Sequence, residues 1–169
     1  NCAMAEFNIG DIASREAIRE AASRYARGVD RLDVDLMKSA YWPDATDDHG
    51  RFVGNGWEFA ERVVGTHDRW QATMHCNMQH AIEFDDRDHA RGEIYNITYL
   101  VPRDGGDWSV WLGRYLDRYE QRDVEWRIVH RICVHEATTT IAHAPMVGDM
   151  SNFRTGEADR PRGDRLLGT

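Results

Sequence analysis

Proton transfer near neutral pH is the province of histidine, and this chain carries eight histidines among 29 acidic side chains. The motifs that would hand those side chains to a cofactor or an activated nucleophile are missing: there is no glycine-rich nucleotide loop, P-loop, His-Glu-x-x-His or Gly-x-Ser-x-Gly. Metal binding finds little support. His75 and His80, like His130 and His135, stand five residues apart in segments of strand character, and an odd separation sends the two members to opposite sheet faces. Cys2, Cys76 and Cys133 form no Cys-x-x-Cys pair, which fits a reducing compartment, and Cys76 and Cys133, in apolar strand-like runs, read as small hydrophobes. What remains is acid/base chemistry by side chains, with no cofactor and no metal expected.

Each candidate for that chemistry also has an ordinary structural account. Asp30 follows Gly28 and could solvate or cap the turn before Asp33. His75 shares strand parity with Asn77, Gln79 and Glu83, opposite Met74, Cys76, Met78, Ile82 and Phe84. That parity describes a solvent face with the core behind it, unless a bulge intervenes. Tyr25 on an apolar helical stripe, and His130 among Trp126, Ile128 and Ile132, fit a core as readily as a site. Arg114 and Asp117 could orient a substrate or form a cross-strand surface pair.

The elements that must position these residues fall into two halves. Ile18, Ala21, Ala22, Tyr25, Ala26 and Val29 recur at helical steps, which predicts a helix over 12–29 with Asp11 or Ser14 as cap and Gly28 near its end. A short helix over 33–41 should be capped by Asp33 and stopped by Pro43, and a third over 56–70 should follow Asn55. From Thr73 the pattern becomes β-branched and aromatic, predicting strands over 73–84, 90–102, 108–121 and 125–140. Short turns between consecutive strands imply antiparallel hairpins, so helices precede an antiparallel sheet in an α+β order that excludes a Rossmann fold. Such a sheet, curved around the helices, makes a cone with room for a pocket. Its lining would come from Trp111, Gly113, Tyr115, Asp117 and Tyr119 on one strand face and Trp126, Ile128, His130, Ile132 and Val134 on the next.

A length of 169 residues, 41% hydrophobic, suits one domain, placed at 1–144, with a polar tail over 145–169 expected either to cover a neighbour or the pocket mouth or to be partly disordered. A net charge of −8 argues against nucleic acid as a partner. The apolar run over 94–101 is far short of the roughly 18–20 residues of a membrane span, and no leader pattern opens the chain, so a soluble cytoplasmic protein is expected.

Three stretches in this order carry a family likeness: Tyr25-Ala26-Arg27-Gly28-Val29-Asp30; Met74-His75 with Ile82-Glu83-Phe84; and Gly113-Arg114-Tyr115-Leu116-Asp117-Arg118-Tyr119-Glu120 followed by Trp126-Arg127-Ile128. Over about residues 12–144 the chain resembles the SnoaL-like branch of the nuclear-transport-factor-2-like superfamily, near the hexachlorocyclohexane dehydrochlorinase, scytalone dehydratase and bile-acid dehydratase group. The resemblance implies a cone-shaped α+β barrel and a cofactor-independent lyase. His75 would be the base that takes a proton from carbon, Asp30 its partner, and Tyr25 a donor to a leaving or carbonyl oxygen. Thr98 stands where the bile-acid enzyme has a catalytic aspartate, and Gln79 where the dehydrochlorinase has an asparagine. The implied partner is a small hydrophobic ring compound, a lignin-derived aromatic among them, losing water, hydrogen halide or formaldehyde. Trp42, Trp57, Trp70, Trp111 and Tyr115 could stack on its ring, with His130 and Arg114 as further contacts. An isomerase or polyketide cyclase with the same dyad, and a non-catalytic small subunit of a ring-hydroxylating dioxygenase, are the alternatives. A homo-oligomer is implied, a trimer before a dimer.

Overall fold

The computed structural model describes residues 9–144 and 148–153, so most of the predicted tail lies outside the described residues. Helix α1 (Ile9–Arg31) begins earlier than predicted and buries Ile18, Ala21, Ala22, Tyr25, Ala26 and Val29 along one stripe. Each large apolar side chain so buried contributes ~1.5–3 kcal/mol. Gly28 is not the terminator. The helix runs on to Arg31 and stops at Leu32, which takes a left-handed φ of 56°. Gly28 instead admits α2 (Val34–Ser39), because a Cβ there would stand 2.6 Å from the Met37 backbone nitrogen. Asp33 caps α2 by accepting from the Leu36 amide. Asn55 caps α3 (Gly56–His67), as the sequence led one to expect, through the Trp57 and Glu58 amides.

The sheet has six strands in the order β2-β1-β6-β5-β4-β3, and it is curved and unclosed over the helices. Four of them, β3 (Trp70–Phe84), β4 (His89–Pro102), β5 (Trp108–Arg122) and β6 (Glu125–Ile141), are the antiparallel set read from the sequence. Strands β1 (Tyr41–Asp48) and β2 (Val53–Asn55) were not foreseen, and β1 runs parallel to β6, so the sheet is mixed. Pro43 and three aspartates disguise β1. The register shift between Tyr41 and Thr46 absorbs the proline's missing donor.

Two further irregularities decide which side chains face the helices. In β3 the register slips between Asn77 and His80. Thr73, His75 and Asn77 therefore point inward before the slip and His80, Ile82 and Phe84 after it, while Met74 and Met78 are turned out and exposed. In β6, Trp126 and Ile128 are buried, but Arg131 follows them inward in place of His130, beside register shifts in both neighbouring pairings. No helix of the described residues is long and apolar enough to cross a membrane.

Candidate active site

Asp30 occupies the last turn of α1, against the inward face of β3. Its carboxylate gathers three donors from that strand. The His75 ring Nδ1 lies 2.6 Å from Oδ1, the Thr73 hydroxyl donates to the same oxygen at 2.9 Å, and the His75 amide donates to Oδ2 at 2.9 Å. With the carboxylate accepting, Nδ1 is the protonated nitrogen and Nε2 keeps its lone pair. The His75 side chain is only 8% exposed and lines a cavity of about 310 Å³, at the lower end of small-molecule sites.

Tyr25 from α1 and Trp111 and Tyr115 from β5 share that cavity wall, with Thr98 from β4 directly across the ladder from His75. His49, His67, Phe59, Cys133 and His135 complete much of the rest. Aromatic and aliphatic surface dominates, with imidazoles set into it. Among the described residues no group of three or more His, Cys, Asp or Glu side chains is arranged to hold a metal ion.

Of the residues named from the sequence, His75, Tyr25, Thr98, Trp111 and Tyr115 line one cavity, with Asp30 joined to it through His75. Others lie elsewhere. Trp42 donates its indole N–H to the Glu120 carbonyl and lies beneath the guanidinium groups of Arg122 and Arg127, away from the cavity. The register of β6 turns His130 to the outer face, where Nδ1 meets the Thr46 hydroxyl at 2.6 Å and the ring borders a separate pocket of about 400 Å³ with Arg118 and Ile132. Arg114 is held on the outer face between Glu93 and Glu136, a cross-strand surface cluster. Trp57 and Trp70 do not border the cavity, and Gln79 is exposed within the β3 slip, so Asn77 is the inward-facing amide.

Sequence reasoning missed a second histidine–carboxylate pair. Asp47 and His49 lie two apart at the end of β1, and the His49 Nδ1 hydrogen-bonds Asp47 Oδ1. Asp47 also accepts from the Tyr41 hydroxyl at 2.5 Å, and the His49 Nε2 meets the Tyr25 hydroxyl at 3.1 Å. The signal was Asp-x-His, which in a strand puts both side chains on one face, but an Asp-rich segment after a proline reads as a turn. Arg131 was missed as well. It is fully buried, bidentate to Asp117 at 2.6 and 2.7 Å, and its guanidinium lies 4.1 Å from the ring centroids of both Tyr25 and Tyr115.

Burial sets the electrostatics here. It lifts the Tyr25 phenol well above its ordinary range, reinforced by Tyr115 and Tyr41, and it pushes the Cys133 thiol up to about 12, which makes that thiol a poor nucleophile. Burial opposes the charge on Arg131, but the Asp117 carboxylate, with Tyr41 and Tyr25 adding, outweighs it and holds the guanidinium well above its usual value.

The profile of the SnoaL-like domain matches residues 10–132. Among solved structures, a type 2 hexachlorocyclohexane dehydrochlorinase is similar at 22% identity and a TM-score of 0.74, over 84% of this chain and 98% of that one. A type 3 enzyme of the same name from Novosphingobium barchaimii LL02 gives 24% and 0.73, over 83% and 99%. A protein provisionally assigned as a scytalone dehydratase, from Novosphingobium aromaticivorans DSM 12444, gives 17% and 0.70, over 83% and 97%. At these identities the likeness speaks for the fold. A comparison with curated proteins finds no match.

Proposed function

This chain belongs to the SnoaL-like family, and on that footing we propose that it is a cofactor-independent lyase acting on a small hydrophobic ring compound. The observation that carries the reading is the His75–Asp30 contact. A carboxylate on Nδ1 fixes the tautomer, aims Nε2 at the cavity and stabilises the imidazolium that forms when Nε2 takes a proton from carbon. Thr73 and the His75 amide hold the carboxylate in place, so the base is oriented before substrate arrives. The electron pair of the broken C–H bond becomes the new π bond, and hydroxide or halide departs from the neighbouring carbon as water or hydrogen halide; for loss of formaldehyde the same base would take the proton of a hydroxymethyl O–H, and the C–C bond electrons would form the π bond as water leaves the next carbon. Trp111, Tyr115 and Phe59 supply the flat apolar surfaces a ring would lie against.

The test is a mass-spectrometric turnover screen against hydroxylated, halogenated and aryl-propanoid ring compounds, with His75→Ala and Asp30→Asn run beside the wild type. Positioned proton transfer is worth about 10²–10⁴ in rate, and a loss of that size is expected in both variants while they remain folded. A product of unchanged mass would move the assignment to an isomerase, and activity that survives both substitutions would sink the dyad.

A further inference from the structure

We infer that Asp47, His49 and Tyr25 form a proton-delivery relay on the wall of the His75 cavity, and that the substrate therefore loses an oxygen leaving group rather than halide. The inference rests on the lyase reading above and deepens it. Three observations carry it. Both nitrogens of His49 are committed within the protein, Nδ1 to Asp47 and Nε2 to the Tyr25 hydroxyl, so the ring can exchange a proton with a bound molecule only through Tyr25. The ring is fixed by Phe59, stacked on it at 4.0 Å between centroids. Asp47 is 1% exposed and is also held by Tyr41, a costly burial for a carboxylate unless it steadies a charge beside it.

His75 and the relay, whose Tyr25 and His49 line the same cavity, then divide one elimination between them. His75 Nε2 takes the proton from carbon, the C–H electrons form the double bond, and the bond from the neighbouring carbon to oxygen breaks. The departing oxygen takes the Tyr25 proton as the imidazolium of His49 passes its Nε2 proton to the phenol oxygen. The net change is loss of one water; His75 afterwards returns a proton to solvent and His49 regains one. Because burial disfavours a Tyr25 phenolate, the phenol gives up its proton only as it receives another. Hydroxide is a poor leaving group and needs that proton. Chloride, the anion of a strong acid, leaves without it, so an acid relay would be idle in a dehydrohalogenase.

Tyr25 would touch the substrate, whereas His49 and Asp47 act through it as positioning residues. The probes are the β-hydroxy and β-chloro forms of a tetralone, whose C–H is acidified by the carbonyl and which both aromatise to naphthol on elimination. For His49→Gln, Asp47→Asn and Tyr25→Phe the ratio of hydroxyl to chloride kcat/KM should fall ~10²-fold, chiefly through kcat. Three substitutions guard against the misfolding of any one, which circular dichroism would reveal. His75→Ala should lower both rates and leave the ratio unchanged. A ratio constant within a few-fold in all three folded variants overturns the relay but leaves the lyase standing. Turnover of neither probe by the wild type overturns both.

Discussion

Three donors on one carboxylate make Asp30 an acceptor and fix which nitrogen of His75 is free, so the chemistry follows from hydrogen-bond bookkeeping at a single residue. His80, five positions on, behaves in the opposite way although it is the same residue type. It sits behind α1 with its Nε2 3.3 Å from the Tyr119 hydroxyl, and burial pushes its imidazole down from 6.5 to about 4, with Asp117 opposing and Arg19 and Arg131 adding. Above 6.5 the ring is neutral folded or unfolded and pH has no hold on it. As pH falls below 6.5 the unfolded ring takes a proton that the folded one refuses, so stability declines, and the loss levels off once the folded ring also protonates near 4. The full difference corresponds to at most ~3 kcal/mol, and partial contact with water brings it nearer ~1–2 kcal/mol. Urea unfolding of wild type against His80→Gln, at neutral pH and at about pH 4, should show the wild type losing that much more; equal losses would mean the ring is freely hydrated. At this scale Asp30, His75 and Tyr25 were legible because a family pattern singles them out. His49 was not, since its partner is supplied by a strand with little strand character.

Gly28 shows what an element contributes beyond its residues. It lets α2 press against the last turns of α1, two residues before Asp30. Gly28→Ala favours a helix by intrinsic propensity, ~1 kcal/mol, but its methyl group would meet the Met37 backbone at 2.6–2.7 Å, and overpacking of that kind costs ~1–3 kcal/mol. The second effect should win, because the obstacle is backbone that cannot rotate away. Thermal unfolding should therefore show a lower Tm for Gly28→Ala, with a further fall in turnover as Asp30 shifts against β3; a raised Tm would show that the two helices part easily. Helix positions and the four long strands were readable from periodicity and caps. The β3 slip was not, because a bulge leaves no compositional mark, yet it turns His75 and Asn77 to the interior and Met74 and Met78 outward, the reverse of an even alternation carried back from Ile82 and Phe84.

Across the whole molecule, the helices and the far strands of the sheet meet at one buried ion pair. Arg131 of β6 joins Asp117 of β5 while its guanidinium lies over the rings of Tyr25 from α1 and Tyr115, and Tyr119 adds its hydroxyl to Asp117 at 2.5 Å. Neither side chain has any contact with water. Removing one partner strands a charge in the interior, and Asp117→Ala should cost ~3–5 kcal/mol. Replacing both, as in Asp117→Leu with Arg131→Met, removes the desolvation cost along with the attraction and should recover most of that loss. Activity should not follow stability in this case. Without the guanidinium the rings of Tyr25 and Tyr115 lose the one group that lies over both of them, so the double variant should be nearly as stable as wild type in urea and still turn over the hydroxylated probe poorly. A double variant as active as wild type would make the pair a matter of folding alone. A double variant no more stable than Asp117→Ala would show that the bidentate pair, with Tyr119 bonded to it, contributes more than apolar packing can replace.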